Sequence, residues 1–452
     1  MSTGLIALLI VFVVIIGAVL TKRCIEFLLL GSLLGSIVLF KAEFLSGWTG
    51  VLSEVCGEAD NVWLVLVCGL FGSLIALLQE SKGTFGFAKL INKICNSERK
   101  TVVTSFILGV LIFIDDYLNV LTVGVCMKNV YDKKKIPRET LAYMLDSTGA
   151  PVCVLLPVST WAVFFSGLFY DTEPVQALGY SSMGAYMHAV PFAFYPLFAL
   201  LIVFLFSMGW FPKLGTMKKA YERVAQTGKV YSDISRKYNQ SEETGIEQTG
   251  NIWNFLIPMG VLIAVAIVSN DLLTAIVVAL LVSFVMYVPR GIISFEDFMN
   301  IVFKGFCDMI PTLAMVLIAL CLANTSSQLG MTEYIIDCVR PLLQGAWYPA
   351  IAFLLVSVLA FVTGSNWGMS AVCIPILLPL GAAVGANTIL VMAAVLSGGT
   401  FGSHACFYTD ATLLSSQAAG IDNMEHALSQ LPYVLIAAGM SFVGFLVCGF
   451  VM

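Results

Sequence analysis

Residues 113–119 read FIDDYLN and place Asp115 and Asp116 side by side inside the apolar stretch TVVTSFILGVLIFIDDYLNVLTVGVCM (101–127). Ionisable side chains are costly inside a bilayer, and those found there usually have a function. The whole chain of 452 residues is similarly apolar, with 59% hydrophobic and 11% charged residues, against about a quarter charged in soluble domains. Apolar windows of about 20 residues, enough to cross a bilayer, recur along it. The sequence therefore predicts an all-α polytopic membrane protein.

The positive charges predict how these windows are oriented. The 23 Lys and Arg residues cluster in a few loops, which the positive-inside rule assigns to the cytoplasm. These loops are Lys22-Arg23, 82–100, 128–138, 213–237, and Arg290 with Lys304, whereas Lys41 and Arg340 lie elsewhere. Both flanks of 101–127 are then cytoplasmic, so this stretch cannot be a single crossing. We expect a re-entrant hairpin with FIDDYLN at its tip, covered by protein or facing a water-filled cavity.

A second hairpin is predicted where TGSNWG (363–368) interrupts another apolar run. Each half of the chain then has three helices, an amphipathic connector, a hairpin, an interrupted helix and a final helix, with opposite membrane orientation. Inverted repeats with interrupted helices meeting near the midplane are typical of secondary transporters. We expect about ten crossings, both termini outside, and a place in the cytoplasmic (inner) membrane.

The predicted bounds follow from these interruptions. They are 1–210 for the first inverted repeat (hairpin 101–127, interrupted helix 139–170), 211–251 for a cytoplasmic loop, and 252–452 for the second inverted repeat (hairpin 346–385, interrupted helix 387–415).

Polar side chains interrupt the apolar pattern at matching places in the two halves. Those predicted to bind an ion and a proton are Asp115, Asp116, Asn119, Asp146, Ser147 and Thr148. Those predicted to bind substrate are Thr363, Ser365, Asn366, Ser403, His404, Thr409 and Asp410. Gly149 and Pro151 are expected to break the helix after Asp146. Carboxylates, hydroxyls and freed carbonyls are hard oxygen ligands that suit small cations.

The protonation of these carboxyl groups suggests a mechanism of ion exchange. Two neighbouring carboxylates in a low dielectric disfavour double ionisation unless a cation lies between them. A proton and a sodium ion are therefore expected to compete, with Asp116 and Asp146 as the main sodium ligands. Competition for one site combined with alternating access is sufficient for antiport. A homodimer joined through the outer helices would fit an elevator-like movement.

Other classes of function fit the sequence less well. The nucleotide motif GxxxxGK[ST] is absent, and we expect no organic cofactor and no nucleic-acid partner. Intramembrane proteolysis would need a GxGD motif, which is also absent, so we expect a transporter and not an enzyme. His188 and His426 lie near predicted membrane boundaries, where a solvated role is expected. Asp308 is expected to line a cavity or pack between helices, and the cysteines to fill the core.

Three stretches resemble the NhaC-type sodium/proton antiporter family, within the broader ion-transporter superfamily. They read FIDDYLNVLTVG, IPRETLAYMLDSTGAPVCVLLPVSTW, and SHACFYTDATLLSS followed by QLPY. Together with the hydropathy profile, the resemblance covers most of the chain. The resemblance implies sodium export in exchange for protons, with the DD and DST segments near the ion site.

One block departs from the family pattern. The family reads Gly-Asp-His-Cys-Ser-Pro where this chain has GSHACF (402–407), so an acidic residue has become Ser403 and the Ser-Pro break is absent. The resemblance extends to amino-acid and carboxylate transporters. An anionic or zwitterionic substrate would suit the lost negative charge, with its carboxylate at Thr363, Ser365 and Asn366. The alternative function is therefore a sodium- or proton-coupled transporter of amino acids or small carboxylates.

Overall fold

The computed structural model is helical throughout the part of the chain that it describes. That part comprises residues 2–21, 23–83, 86, 95–113, 116–157, 159–239, 250–269, 271–339, 345–364 and 366–452. The described α-helices of the first half are α1 (Thr3–Thr21), α2 (Cys24–Phe40), α3 (Phe44–Gly57), α4 (Ala59–Glu80), α5 (Glu98–Leu111), α6 (Asp116–Lys133), α7 (Arg138–Thr148), α8 (Ala150–Leu155), α9 (Thr160–Tyr170), α10 (Glu173–Gln176), α11 (Ser182–Ala189) and α12 (Phe194–Ser207).

The rest of the chain, from residue 211 onward, is also helical in its described part. Its described α-helices are α13 (Gly215–Thr227), α14 (Trp253–Ser269), α15 (Leu272–Tyr287), α16 (Phe295–Gln328), α17 (Met331–Val339), α18 (Tyr348–Thr363), α19 (Asn366–Ala383), α20 (Thr388–Ala405), α21 (Asp410–Ala419) and α22 (Asn423–Val451).

The helices pack as two groups. The scaffold group consists of α1–α4 and α14–α16, in which α16 runs along both α4 and α2 while α14 packs on α15. Gly72 and Gly305 bring the α4 and α16 backbones together, because a Cβ at either glycine would stand 2.5 Å from the other's carbonyl oxygen. The hairpin group consists of α5–α9, α12 and α18–α22.

Both predicted hairpins fold back on themselves. In the first hairpin, α5 and α6 contact each other, and Asn119 on α6 bonds to carbonyl oxygens near the end of α5. In the second, Tyr348 at the start of α18 donates a hydrogen bond to the Leu377 carbonyl oxygen on α19 at 2.6 Å. Gly364 ends α18 with φ +65°, a conformation that favours glycine. Asp115 and Ser365, one predicted at each tip, lie outside the described residues.

Both predicted interrupted helices are broken in the structure. Gly149 separates α7 from α8, and residues 156–159 separate α8 from α9. In the second half, residues 406–409 separate α20 from α21 although no proline stands there. Thr409 makes this second break, since its side chain caps α21 and donates to the Ser403 carbonyl oxygen at 2.8 Å.

The segment 211–239 is not the plain loop expected from its polarity. It contains α13 and a 3-10 turn (Ile234–Tyr238) and packs against the hairpin group. Arg223 on α13 forms a bidentate ion pair with the buried Glu139 at 2.7 and 2.9 Å. Ser232 and Ser235 both donate to the Glu425 carboxylate at 2.7 Å. We call residues 211–239 the central segment; it ties the start of α7 to the start of α22.

Several helices have the length and apolarity of membrane spans. Within the described residues they are Ile25–Gly57, Asn61–Glu80, Gly345–Thr363, Thr388–Ala405 and Asn423–Val451, and the pair Ser182–Phe192 and Phe194–Ser207, bent by 53°, could add one broken span. Shorter apolar helices run over Thr3–Val14, Trp253–Ala266, Leu272–Tyr287 and Cys373–Ala383. The chain is a multi-pass helical membrane protein, and the count of about ten crossings stays a prediction.

Candidate functional site

Asp146 lies at the centre of a buried polar network where the two broken helices meet. It stands near the end of α7, and only 1% of its surface is exposed. Its Oδ2 accepts hydrogen bonds from the Thr412 hydroxyl at 3.0 Å and from Gln430 Nε2 at 2.8 Å. His426 Nε2 lies 3.7 Å from the same oxygen. Elements from both halves of the chain therefore surround one carboxyl.

His404 forms the adjacent part of the network. Its Nε2 is 3.0 Å from the Ser147 hydroxyl, and its Nδ1 is 2.9 Å from the Tyr195 hydroxyl. Gln430 Nε2 also donates to the His404 carbonyl oxygen at 2.7 Å. Ser147 and His404, predicted in separate halves, are thus brought into direct contact.

His426 corrects the expectation of a solvated histidine. It is fully buried, with Nε2 2.9 Å from Gln430 Oε1 and Nδ1 2.9 Å from the Ser416 hydroxyl. Asn423 at the start of α22 donates to the Phe407 carbonyl oxygen at 3.0 Å, which holds this end of the helix against the second break. By contrast, His188 is exposed, as predicted.

Asp116 at the start of α6 and Asp410 at the start of α21 are connected through Tyr117, the residue after Asp116. Asp116 is 4% exposed, and its Cβ would lie 3.6 Å from a Cβ placed on Gly149, so it faces the first break. The neighbouring Tyr117 donates a hydrogen bond to Asp410. The other Asp410 oxygen accepts the Ala411 backbone N–H at 2.8 Å. The first hairpin tip therefore contacts both breaks.

Asn119 fixes the first hairpin tip. Its Nδ2 donates to the carbonyl oxygens of Gly109, of Ile112 at 2.7 Å and of Thr148 at 3.0 Å. The side chain is fully buried, and its Oδ1 has no hydrogen-bond partner among the described residues. Thr148 also packs directly on Gly109, where any side chain would overlap it. Asn119 consequently joins the hairpin to the first break and still offers one free oxygen.

The second hairpin tip has different neighbours. Asn366 is 4% exposed and packs against Gly399 on α20, and its Nδ2 has no partner among the described residues. The Thr363 hydroxyl donates to the Leu359 carbonyl oxygen at 2.8 Å. Tyr408 lies over Gly364 and donates to the Phe361 carbonyl oxygen at 3.2 Å. These contacts place the tip at the second broken helix and not at Asp146.

The sequence motifs do not indicate several residues of this network, namely Tyr117, Tyr195, Ser416, His426 and Gln430. His426 and Gln430 are four residues apart in an otherwise apolar helix, and that spacing puts them on one face. Among the described residues, no cluster of three or more His, Cys, Asp or Glu has the geometry of a metal site.

A cavity of about 720 Å³ separates part of the scaffold group from the hairpin group. Its walls come from α4, α6, α16 and α21, together with the central segment. Asp308 lies in this wall, as expected for a lining residue. Leu121 in the wall is one helical turn from Tyr117, so the cavity approaches the Tyr117–Asp410 pair from one side.

The model of the Na+/H+ antiporter family matches residues 152–450. The chain belongs to this family. The match includes His404, Asp410 and Gln430, whereas Asp116 and Asp146 precede it. This membership identifies a secondary transporter and agrees with the resemblance seen in the sequence.

Two curated relatives extend the comparison. An uncharacterized protein of Haemophilus influenzae is 26% identical over 96% of this chain and 89% of its own length. The malate-2H(+)/Na(+)-lactate antiporter of Bacillus subtilis is 24% identical over 44% of each chain. Among solved structures, Neisseria gonorrhoeae MtrF, described as illuminating a class of antimetabolite efflux pumps, has 14% identity and a TM-score of 0.38 over 90% of this chain and 83% of its own.

Proposed function

We propose that this transporter exchanges sodium ions for protons across the cytoplasmic membrane by alternating access. The observation that carries the proposal is the buried Asp146 carboxyl, held by Thr412 and Gln430 and facing His426 at 3.7 Å. A buried carboxylate needs a compensating positive charge, and either a proton or a cation can provide it. Sodium would be bound by Asp116 and Asp146, with neutral oxygens such as Asn119 Oδ1.

The hydrogen bonds of His426 show how a proton can be held. Gln430 Oε1 is only an acceptor, so His426 Nε2 donates to it. The Ser416 hydroxyl can donate either to the Thr412 carbonyl oxygen at 2.7 Å or to His426 Nδ1 at 2.9 Å. In the first arrangement Nδ1 carries a proton and the ring is an imidazolium; in the second the ring is neutral. Rotation of this hydroxyl would therefore let Ser416 hydrogen-bond to His426 in either protonation state, while the proton itself would be exchanged with Asp146 or with water.

An inverted repeat, covering 1–210 and 252–452, is supported by paired contacts. Helix α2 packs on α16 while α4 packs on α15, and α4 and α16 meet each other. A Cβ at Gly4 would touch Gly330, and one at Gly83 would touch Asn254, so each half's first helix meets the other half's connector. Both termini would then lie outside, and the basic loops in the cytoplasm.

The cavity supports a movement of the hairpin group against the scaffold group, by rocking or by an elevator-like shift. It opens between the two groups on one side of the Tyr117–Asp410 pair, on the side that the lysines assign to the cytoplasm. On the other side of this pair, Trp63 on α4 lies against Tyr117, with ring centroids 6.2 Å apart. This arrangement corresponds to access from one side only.

The test uses purified protein in proteoliposomes with a pH-sensitive dye inside. An imposed sodium gradient should drive proton movement in the wild type. Asp146→Asn should reduce the rate by at least about tenfold, because the titratable group is lost from a buried site, and Asp116→Asn should do the same. The matched control is Asp171→Asn, an exposed carboxylate at the end of α9, which should leave the rate unchanged. Normal exchange in both buried-site variants would refute the ion site.

A second candidate is exchange of a small organic anion coupled to sodium or protons. The named function of the Bacillus subtilis relative and the replacement of an acidic residue by Ser403 favour it. Ligands that bind the native state raise the thermal unfolding temperature. A large shift with malate, lactate or an amino acid but none with sodium would establish the second candidate over the first.

A further inference from the structure

The cavity beside the Tyr117–Asp410 pair has the size and lining of a ligand site. Its volume of about 720 Å³ falls within the roughly 300–1,000 Å³ of small-molecule pockets. Ile75, Leu121, Val125 and Met309 supply apolar wall. The backbone contact between α4 and α16 forms part of the same wall, since Gly72 and Gly305 both line the cavity.

The charged groups in this wall are mainly cationic. Lys128 comes from α6, Lys237 from the central segment and Lys304 from α16, whereas Asp308 is the acidic residue of the lining. Lys237 lies 3.7 Å from Asp422, yet the lining with Asp422 included still has a net positive formal charge. Apolar walls concentrate such a field within a cleft. The cavity should therefore accumulate anions.

The cationic side of the cavity is built by the fold and not by flexible surface chains alone. Gly420 ends α21 with φ +69°. A Cβ on it would lie 3.0 Å from Lys128 Nζ and 2.8 Å from an Arg138 guanidinium nitrogen. Arg138 is 1% exposed and is bonded to Asp132 and to Asn239. Two cationic groups thus converge at the end of the helix that carries Asp410.

We propose that this cavity is a vestibule that binds a small organic carboxylate between the scaffold group and the hairpin group. This inference rests on the second candidate function and names its substrate class. Lys304 is the residue best placed to set the potential, because it is exposed and enters the cavity from the scaffold group. A carboxylate there would contact lysines of both groups, so its binding would report their relative position.

The electrostatic potential in the cavity can be measured from the rates at which charged reagents label a native cysteine. Cys307 lines the cavity and is exposed, and Cys56 at the end of α3 is an exposed thiol elsewhere. Detergent-solubilised protein is treated with an anionic or a cationic methanethiosulfonate reagent, and labelling at both cysteines is followed by mass spectrometry. The ratio of anionic to cationic rates removes the intrinsic reactivity of each thiol. At Cys307 this ratio should be about threefold or more above that at Cys56, and potassium chloride should reduce the difference.

Substitutions assign the effect to the cavity lysine. Lys304→Glu should lower the ratio at Cys307 by about threefold or more, and Lys304→Ala by less. The control Lys218→Glu changes an exposed lysine on α13 and should have no effect. Size-exclusion chromatography verifies that each variant is folded. An unchanged ratio at Cys307 in folded Lys304→Glu would overturn the proposal.

Binding is measured by protection. Malate or lactate should slow labelling of Cys307 and not of Cys56 in the wild type, and Lys304→Glu should weaken the protection. Absence of protection by both anions would overturn the vestibule even if the potential is positive. The labelling needs no ion gradient, so it tests the vestibule separately from transport. If malate or lactate protects Cys307 but sodium/proton exchange is absent, only the proposed coupling is rejected. If exchange is intact but neither anion protects Cys307, only the vestibule is rejected.

Discussion

The two hairpin tips use different side chains to donate hydrogen bonds to the backbone carbonyl groups at their helix ends. A helix that ends inside the membrane leaves carbonyl groups without partners, and these must be satisfied by the protein. At the first tip, Asn119 from the hairpin's own second arm donates to the carbonyls of Gly109, Ile112 and Thr148. At the second tip, Tyr408 from the neighbouring broken helix does so, over the left-handed Gly364.

The side chains at the two tips indicate which tip suits a cation and which suits an anion. The first tip carries Asp116, which faces the first break, and Asn119, whose Oδ1 has no hydrogen-bond partner among the described residues. The second tip has the unpaired Nδ2 of Asn366, which is a donor and not an acceptor. An acceptor-rich tip suits a cation, and a donor-rich tip suits an anion. The two hairpin tips thus offer opposite hydrogen-bonding groups.

The largest effect is expected from Gly364→Val, which breaks the second tip. The new side chain would occupy a position with φ +65° and overlap the Tyr408 ring. We expect the free energy of unfolding to fall by about 3 kcal/mol or more, or the protein not to fold, because the cost of the strained backbone adds to that of the steric clash. Thermal unfolding in detergent measures it. The control Gly385→Val shares a positive φ of +76° but has open space around it, and should cost about 1–2 kcal/mol. Equal losses would show that Tyr408 packing does not matter.

An intermediate effect should come from the pair Asn119→Asp and Asn366→Asp. Each removes one amide nitrogen at nearly constant size, but only the Asn119 nitrogen has carbonyl partners among the described residues. Leaving buried carbonyls unpaired costs about 1–3 kcal/mol, so Asn119→Asp should lower the unfolding temperature clearly more than Asn366→Asp. Thermal unfolding of both variants at one pH makes the comparison. If Asn366→Asp is the more damaging, the donor assignment of the second tip is wrong.

The smallest effects are expected where the broken helices begin. Helix α7 is held there by the ion pair of Glu139 with Arg223, whereas α20 is capped by Asn387, which accepts from the Leu390 N–H at 3.2 Å. Arg223→Lys retains the charge but loses the bidentate geometry, and should cost about 1–2 kcal/mol. Asn387→Ala should cost about 1 kcal/mol. Thermal unfolding ranks the two, with Lys218→Ala, a solvent-exposed change, as control. A neutral Arg223→Lys would indicate that the central segment does not stabilise the hairpin group.

The breaks in the helices could be predicted from the sequence because they depend on local residues. Gly149 and Pro151 indicate the first break, and TGSNWG indicates the second tip. The sequence predicts an interruption within 387–415 without a proline to place it, and in the structure Thr409 caps α21 after residues 406–408. The helix within the central segment was not predicted, since its apolar face is narrow and its ion-pair partner, Glu139, is far away in sequence.

The partners of Asp146 could not be predicted in the same way. Thr412 and Gln430 are more than 260 residues away along the chain, and only the packing of α21 and α22 on α7 brings them close. His426 was placed near a boundary because the sequence gives the distance from a helix end and not the depth of that end. Its burial results from the cover provided by the central segment and the second break.

The amide side chain of Gln430 limits which residues of the network can exchange protons. Its amide donates to Asp146 and to the His404 carbonyl, and accepts from His426, so both of its N–H groups and one acceptor site are used. A carboxamide does not gain or lose protons near neutral pH, unlike a carboxyl or an imidazole. It therefore insulates the two histidines from each other. A proton exchanged between Asp146 and His426 has no relay through Gln430 to His404, although all three residues contact the same side chain.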